Sequence, residues 1–197
     1  MSDDMAQRKS VTLTLRPFQA GDAETIVSWL KDEYALRQWS ADRYGRFPIT
    51  AADMRTYYRT AAQQGGGDFQ AMTALGPGGD IVGYFTLRRP GPERDMLRLG
   101  FVIVDDRLRG QGYGKAMLAL AIRLAFTSAS RVTLGVFENN DAAIRCYRAC
   151  GFREVPVAEP EWYVCMGQVW ECVEMELRRP GRAARGGAGE RLLEGYR

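Results

Sequence analysis

A ten-residue segment, RGQGYGKAML at Arg109–Leu118, constrains the fold more than any other part of the chain. Its glycines, among them Gly112 and Gly114, leave backbone amides uncovered directly before apolar residues at helical spacing. A helix N-terminus carries unpaired amides and a partial positive charge, so such a turn is suited to binding a phosphate. Lys115 adds a cation. The segment therefore predicts a glycine-rich turn that opens a helix and binds a phosphate-bearing ligand.

Patterns on both sides of this turn predict an α/β fold. Before it, alternating and apolar runs separated by turns predict three or four antiparallel strands, while Asp22 and the pair Thr50 and Asp53 are expected to cap helices. After it, the spacing predicts a helix, a strand from Val132, and a short helix that ends at Gly151. Two further strands close a mixed sheet with flanking helices.

The composition indicates one globular domain. The chain has 197 residues, of which 46% are hydrophobic, as in proteins with a single core. We expect the domain over residues 11–177, between a flexible N-terminus at 1–10 and an Arg/Gly-rich tail at 178–197. No stretch approaches 18 uncharged apolar residues and no secretory leader is recognisable. A cytoplasmic protein without membrane contact is expected.

The formal net charge of +3 comes from the C-terminal end. Six arginines follow Leu177, against only Glu190 and Glu194, so the rest of the chain is close to neutral. A basic face for nucleic acid is therefore not expected.

The sequence contains no histidine, which restricts its chemistry. Ser-His-Asp triads, Cys-His dyads and His-ligated metals are excluded, so proton transfer has to use Tyr, Asp, Glu, Lys or water. No metal is expected. The four cysteines are expected to be free thiols, because no Cys-x-x-Cys pair and no secretion signal accompany them.

Two nucleotide-binding loops do not fit the glycines. A dinucleotide loop needs Gly-x-Gly-x-x-Gly, whereas the spacing here is Gly110-x-Gly112-x-Gly114. A P-loop needs a Ser or Thr after Gly-Lys, whereas Ala116 follows Lys115.

A second segment, further along the chain, supports a third interpretation of the glycine turn better than either nucleotide-binding loop. FVIVDDRLRGQGYGKAML, followed by VFENNDAAIRCYRACGF, resembles the two signature segments of the GNAT superfamily of acetyl-CoA-dependent N-acetyltransferases, and the resemblance extends more loosely over about residues 11–177. It is similar to the branch that includes ribosomal-protein, aminoglycoside and polyamine acetyltransferases. The resemblance implies a GNAT-like, mostly antiparallel sheet and acetyl-CoA as the phosphate-bearing co-substrate. It also implies direct transfer, in a ternary complex, to a primary amine of a small molecule or a peptide N-terminus.

The resemblance also implies the donor site. The strand end before the turn lines the pantetheine and acetyl groups, and Asn140 hydrogen-bonds the pantetheine arm. Tyr147 matches the position from which a phenol protonates the departing thiolate, and its ordinary pKa of about 10 keeps it protonated at neutral pH. The remaining cofactor-binding residues are those of the strand end, Val102, Ile103 and Val104, and of the turn, Arg109, Gly110, Gln111, Gly112, Tyr113, Gly114 and Lys115.

The general base and the acceptor stay open. The strand before the turn carries Arg98 where family members often have an acid, and Glu93 and Asp95 precede that strand. The segment from Glu154 to Glu176, both ends included, contains six glutamates and no basic residue. These glutamates form either an acidic wall for a cationic amine or half-solvated strand faces. Six aromatic residues are candidate walls of an acceptor pocket: Trp29, Trp39, Tyr57, Tyr58, Trp162 and Tyr163.

Two other hypotheses concern the chemistry. An acetyl-cysteine intermediate on Cys146 or Cys150 is not expected, because a nucleophilic thiol needs a lowered pKa and no histidine is present to lower it. Capping accounts for Asn139 and Asp141. The alternative function is a non-catalytic coenzyme A sensor or partner-binding module on the same fold. The oligomeric state is left open, a homodimer included.

Overall fold

One eight-stranded sheet organises the computed structural model, which describes residues 11–180. The predicted N-terminal segment 1–10 and residues 181–197 of the predicted tail lie outside the described residues. The strands are β1 (Thr14–Pro17), β2 (Phe69–Leu75), β3 (Ile81–Arg88), β4 (Met96–Val104), β5 (Arg131–Phe137), β6 (Arg153–Glu154), β7 (Glu161–Cys165) and β8 (Gln168–Arg178). The helices are α1 (Asp22–Val27), α2 (Glu33–Ser40), α3 (Ala51–Gly65), α4 (Tyr113–Ala125) and α5 (Asp141–Ala149).

The strand order is β1-β2-β3-β4-β5-β8-β6, with β7 paired to β8. Every pairing is antiparallel except that of β4 with β5. Parallel neighbours require a crossover connection, and α4 supplies it. The predicted mixed, mostly antiparallel sheet with flanking helices is confirmed.

Helices cover both faces of the sheet because its central strands are apolar on both sides. On one face, Met117 and Leu118 of α4 share a buried cluster with Phe85 of β3. On the other, Trp29 and Leu36 from the α1–α2 region share a second cluster with Tyr84 of the same strand. Burial of such side chains stabilises the fold by about 1.5–3 kcal/mol each.

The N-terminal helices differ in part from the sequence prediction. Thr50 and Asp53 form the expected reciprocal cap of α3, with the Asp53 amide donating to Thr50 Oγ1 at 3.2 Å. The chain also forms α2, which the sequence analysis did not predict and which Asp32 caps by accepting from the Ala35 amide at 2.7 Å. Asp22 is the first residue of α1 and does not cap it, so that expectation was wrong.

Asp22 instead joins the first helix to the edge of the sheet. Its carboxylate accepts two hydrogen bonds from the Arg16 guanidinium, at 2.7 and 2.8 Å, one from the Gln19 amide at 2.9 Å, and one from the Thr73 hydroxyl at 2.6 Å. Arg16 and Thr73 are register partners on β1 and β2. Burial raises the pKa of Asp22, but these hydrogen bonds outweigh it and lower the pKa overall.

We expect Asp22→Asn to destabilise the protein by roughly 1.5–3 kcal/mol at neutral pH, the usual worth of hydrogen bonds to a charged group. Because the folded pKa is depressed below the unfolded value of about 3.9, the contribution is present above that value and is lost as the pH falls through the folded pKa. Urea unfolding at several pH values measures it. Asp42→Asn, at an exposed site, is the control, and a difference from it that does not shrink in acid would contradict this role.

Candidate active site

The two parallel strands β4 and β5 separate partway along their length. Only Met96–Arg98 pairs with Arg131–Thr133, although β4 continues to Val104 and β5 to Phe137. Beyond Arg98, the edge of β4 that faces β5 therefore has no strand partner. A free strand edge can bind an extended ligand through its backbone amides and carbonyls.

A bulge in β4 shapes this free edge. The register with β3 shifts between Tyr84 and Thr86, and Phe101 has a φ of 50°. A bulge bends a strand and changes the direction of its backbone groups. The predicted donor residues 102–104 follow it directly, and all three line a cavity of about 300 Å³ between the strands, here called the donor cavity.

The glycine turn opens α4 as the sequence predicts. Gly110 and Gly112 have φ values of 75° and 91°, which glycine adopts without strain. Among residues 11–180, the backbone amides at 112–115 have no hydrogen-bond partner, whereas the Gln111 amide donates to the Leu108 carbonyl at 3.4 Å. The start of this 13-residue helix therefore presents free amides to a ligand, as an anion site does.

The side chains of the turn divide into two groups. Arg109 lines the donor cavity, and both Arg109 and Lys115 are exposed. The Gln111 side chain donates to the Arg107 carbonyl at 2.9 Å, and Tyr113 packs against the core beneath α4. Neither of these last two residues lines the donor cavity.

Gly114 serves the packing of two helices. It does not have a positive φ, and a Cβ at this position would lie 3.5 Å from Cys146 Sγ on α5. Gly114 and Cys146 both line the donor cavity. The two helices are therefore in van der Waals contact at the wall of the cavity.

Asn140 begins α5 and faces the donor cavity. Its Oδ1 accepts from the Ala143 amide at 3.2 Å, which leaves the two Nδ2 hydrogens for a ligand. Asn139 does not cap the helix, contrary to expectation; its Oδ1 accepts from Gln38 Nε2 at 3.2 Å and ties α5 to α2. Asp141 is the first residue of α5, where an acid favours the helix dipole.

Tyr147 lies on the inner face of α5 and lines the donor cavity. Its ring is 8% exposed and packs edge-on against Phe152, and its hydroxyl has no hydrogen-bond partner among the described residues. Burial, followed by the neighbouring Cys146 and Cys150, raises the pKa of Tyr147 well above its ordinary value. The phenol is therefore protonated at neutral pH and free to donate.

The four cysteines are free thiols in the described part of the chain, as predicted. A hydrogen bond from Cys150 and the charge of Lys115 lower the pKa of Cys146, although burial opposes them. No histidine is present to lower this pKa, as the sequence analysis noted; a second thiol and a lysine lower it instead.

A second, larger cavity of about 850 Å³ adjoins the donor cavity; we refer to it as the acceptor cavity. Residues of β4 and β5 at the point of separation line both, including Gly100, Phe101 and Val136, and so do Gln38 and Trp39 of α2. The two cavities therefore share part of their wall at the point where the strands separate.

An ion pair crosses the apex of the gap, where the strands separate. Arg98 of β4 donates both Nη groups to Glu174 of β8, one of them at 2.9 Å. Between them lies Gly135 of β5, where a Cβ would come within 2.7 Å of Arg98 Nη2 and of Cys172 Sγ. The sequence analysis noted that an acid was missing at Arg98; Glu174 brings a carboxylate to that place, but the guanidinium occupies both of its oxygens.

The glutamates between 154 and 176 do not form one acidic wall. Glu154, Glu174 and Glu176 are paired with arginines of other elements. Glu159 and Glu161 line the acceptor cavity without an ion pair among residues 11–180. The acidic surface available to an amine is thus smaller than the sequence indicates.

Other candidates divide between the cavity and the rest of the fold. Glu93 pairs with Arg131 and Asp95 accepts from Ser130, both away from the acceptor cavity. Within residues 11–180, no three His, Cys, Asp or Glu side chains are placed to hold a metal ion. Of the six candidate aromatic walls, Trp39, Tyr57 and Tyr163 line the acceptor cavity, Trp29 and Tyr58 pack in the core, and Trp162 is exposed on β7.

Two comparisons concern the sequence. The family model described as the acetyltransferase (GNAT) domain matches residues 12–153. A spermine/spermidine N(1)-acetyltransferase of Bacillus subtilis is 40% identical over 83 residues, which are 38% of this chain and 54% of the relative. The match thus spans about half the length of this curated relative. None of the described helices is long and apolar enough to cross a membrane.

Solved structures share the fold at low identity. A spermidine N-acetyltransferase of Vibrio cholerae, in complex with CoA and spermine, superposes with a TM-score of 0.69 at 16% identity, over 85% of this chain and 95% of that one. A ribosomal-protein-alanine N-acetyltransferase of Brucella melitensis gives 0.64 at 20% identity, over 84% and 99%. With the family model covering most of the described residues, this chain belongs to the GNAT acetyltransferase family.

Proposed function

We propose that this protein transfers an acetyl group from acetyl-CoA to a primary amine of a small molecule. The observation that carries the proposal is the contact between the donor and acceptor cavities at the point where β4 and β5 separate. A thioester in one cavity can meet an amine in the other without either substrate leaving the protein.

The donor side fits coenzyme A in three respects. The amides at 112–115 and the cations Arg109 and Lys115 suit a pyrophosphate. The free edge at residues 102–104 suits the amide-containing pantetheine arm, and one of its N–H groups can polarise the thioester carbonyl. The unused Nδ2 of Asn140 provides a further donor. Acetyl-CoA supplies the activated acyl group.

The proton balance of the reaction points to Tyr147. When the amine nitrogen bonds to the acetyl carbon and the carbon–sulfur bond breaks, the nitrogen gives up a proton to water, and the sulfur departs as a thiolate that needs a proton. The Tyr147 phenol faces the donor cavity in protonated form. We assign it as the general acid of a direct transfer between the two bound substrates.

The acceptor is proposed at a coarser level. The relatives named above are acetyltransferases of polyamines and of a ribosomal protein by their names, and an acceptor with a primary amine is common to both. A small-molecule amine or a peptide N-terminus fits a cavity of about 850 Å³. A cytoplasmic location stays a prediction from the sequence.

Release of free CoA thiol, measured over a panel of primary amines and read together with the mass of the product, tests the function. Acetylated product at the amine supports it. Binding of coenzyme A with no turnover on any amine would contradict it and would favour the non-catalytic coenzyme A module.

We expect Gly112→Asp to abolish the rise in melting temperature that coenzyme A causes, because its carboxylate would face the pyrophosphate. At a ligand concentration of about 100 times Kd, binding stabilises a protein by about 2.7 kcal/mol, which is several degrees for a chain of this size. Gly79→Asp is a matched control, since Gly79 has a φ of 85° in the β2–β3 turn with open space around it. An unchanged coenzyme A response in Gly112→Asp would contradict the assignment.

Tyr147→Phe should lower kcat by about 100-fold or more, the usual effect of losing a general acid, while the Kd for acetyl-CoA stays within twofold because the ring still packs. Single-turnover measurement isolates the chemical step. Tyr58→Phe, on α3 and packed against the core, is the control. Because the pKa of Tyr147 is raised, loss of its proton should not reduce kcat below about pH 10. Full activity in Tyr147→Phe would leave the residue with a packing role alone.

Cys146→Ala should retain kcat, because direct transfer needs no acetylated thiol. Intact mass after incubation with acetyl-CoA and no acceptor should show unmodified protein. A stable increase of one acetyl group that disappears in the variant would instead indicate a covalent intermediate.

A further inference from the structure

The acceptor cavity contains arginines that have no ion pair within the described residues, which is unexpected for a site that binds a polycation. Four arginines line it, and two of them are neutralised: Arg89 by Asp68, at 3.0 Å, and Arg98 by Glu174. The other two, Arg43 and Arg88, have no ion pair among residues 11–180. A cavity that received only polyamines would place these cations against cations of the substrate.

Of the two arginines left unpaired within residues 11–180, Arg88 is the one that lies on the sheet, at the end of β3. It is the register partner of Arg98, just as Thr86 is the partner of Gly100, so both pairs lie on one face of the sheet, the face that lines the acceptor cavity. Gly100 also lines the donor cavity. Arg88 follows Thr86, the partner of Gly100, by two residues along β3, which is a distance of about 7 Å.

In the described part of the chain, Arg88 forms no ion pair, and the only carboxylate that favours its charge from a distance is Glu161. Among residues 11–180, no carboxylate lies within salt-bridge distance of its guanidinium and no hydrogen bond forms to it, whereas the neighbouring Arg98 is held by two. The Arg88 side chain is exposed; its partial desolvation by the surrounding protein, together with the charges of Arg98 and Arg43, lowers its pKa, and Glu161 opposes this effect. Since arginine stays protonated in proteins, a bound anion would relieve this repulsion.

We propose that the acceptor carries an anionic group, such as a carboxylate, in addition to its primary amine, and that Arg88 binds this group. The inference rests on the proposed function and names the substrate class of the same site. A guanidinium is suited to planar, bidentate recognition of a carboxylate. Glu159 and Glu161, which line the same cavity, attract the ammonium end. The cavity thus matches a zwitterion rather than a polycation.

Matched acceptors test the proposal through both turnover and binding. Glycine, 4-aminobutanoate and 5-aminopentanoate present the carboxylate at increasing distance from the amine, and the amide of each removes only the charge. Spermidine is the polycationic comparison. For each acceptor, kcat/KM is measured by CoA release, and affinity is measured by titration calorimetry on the coenzyme A complex. The two longer acids should exceed their amides by about 10–100-fold, the effect of one hydrogen-bonded charge.

Two variants assign the preference to Arg88. Arg88→Gln should remove the preference for acid over amide and leave the Kd for coenzyme A unchanged, and Arg88→Lys should restore part of it. Arg59→Gln, on the exposed surface of α3 and outside both cavities, is the control. Because the comparison is between two acceptors on one protein, a general loss of stability does not imitate the result.

The outcomes separate the inference from the proposed function. Equal use and equal binding of acids and amides, a preference for spermidine, or an acid preference that survives in Arg88→Gln would overturn the inference while acetyl transfer stands. Selective binding of the acids through Arg88 without any turnover would support the anion site and contradict the acetyltransferase function.

Discussion

The separation of β4 from β5 after three paired residues is the constraint on which both cavities depend. Had the parallel ladder continued to Val104 and Phe137, the free edge of β4 would be satisfied by β5 and neither cavity would exist. The bulge at Phe101 bends β4, and α4 carries the chain across from one strand to the other. The glycine turn lies between β4 and α4, so Arg109 and Gly114 line the donor cavity together with residues 102–104 of the free edge.

The donor side could be predicted from sequence because its parts are local. The turn needs glycine at two positive φ values, and the helix that follows is periodic. Spacing also predicts the short helix that Asn140 caps and that carries Tyr147, whereas the roles of these two residues come from the resemblance to the GNAT family. The local pattern did not predict α2, whose start depends on a single cap at Asp32. It also did not predict that Asp22 accepts a hydrogen bond from Thr73 of β2, 51 residues away, instead of capping its own helix.

The acceptor side could not be predicted because its parts are distant in sequence. Alternation along β8 shows that Glu174 shares a face with Cys172 and Glu176. Only the register of β8 with β5 brings Glu174 to Arg98, 76 residues earlier. The same register brings Glu176 to Arg131, while Glu154 pairs with Arg148 of α5. A count of charges along the chain could not decide between an acidic wall and solvated strand faces, because it does not show which charges are paired in the folded cavity.

Gly135 has a consequence for how this active site is divided. Where strands part, side chains of intermediate size would ordinarily fill the apex, yet at this position any Cβ would collide with a guanidinium held in place by Glu174 and with a thiol of the adjacent strand. The residue can change only if the ion pair moves. Gly135 lines both cavities, and because it has no side chain, the Arg98–Glu174 pair and the Cys172 thiol can lie directly against β5 where the two cavities meet.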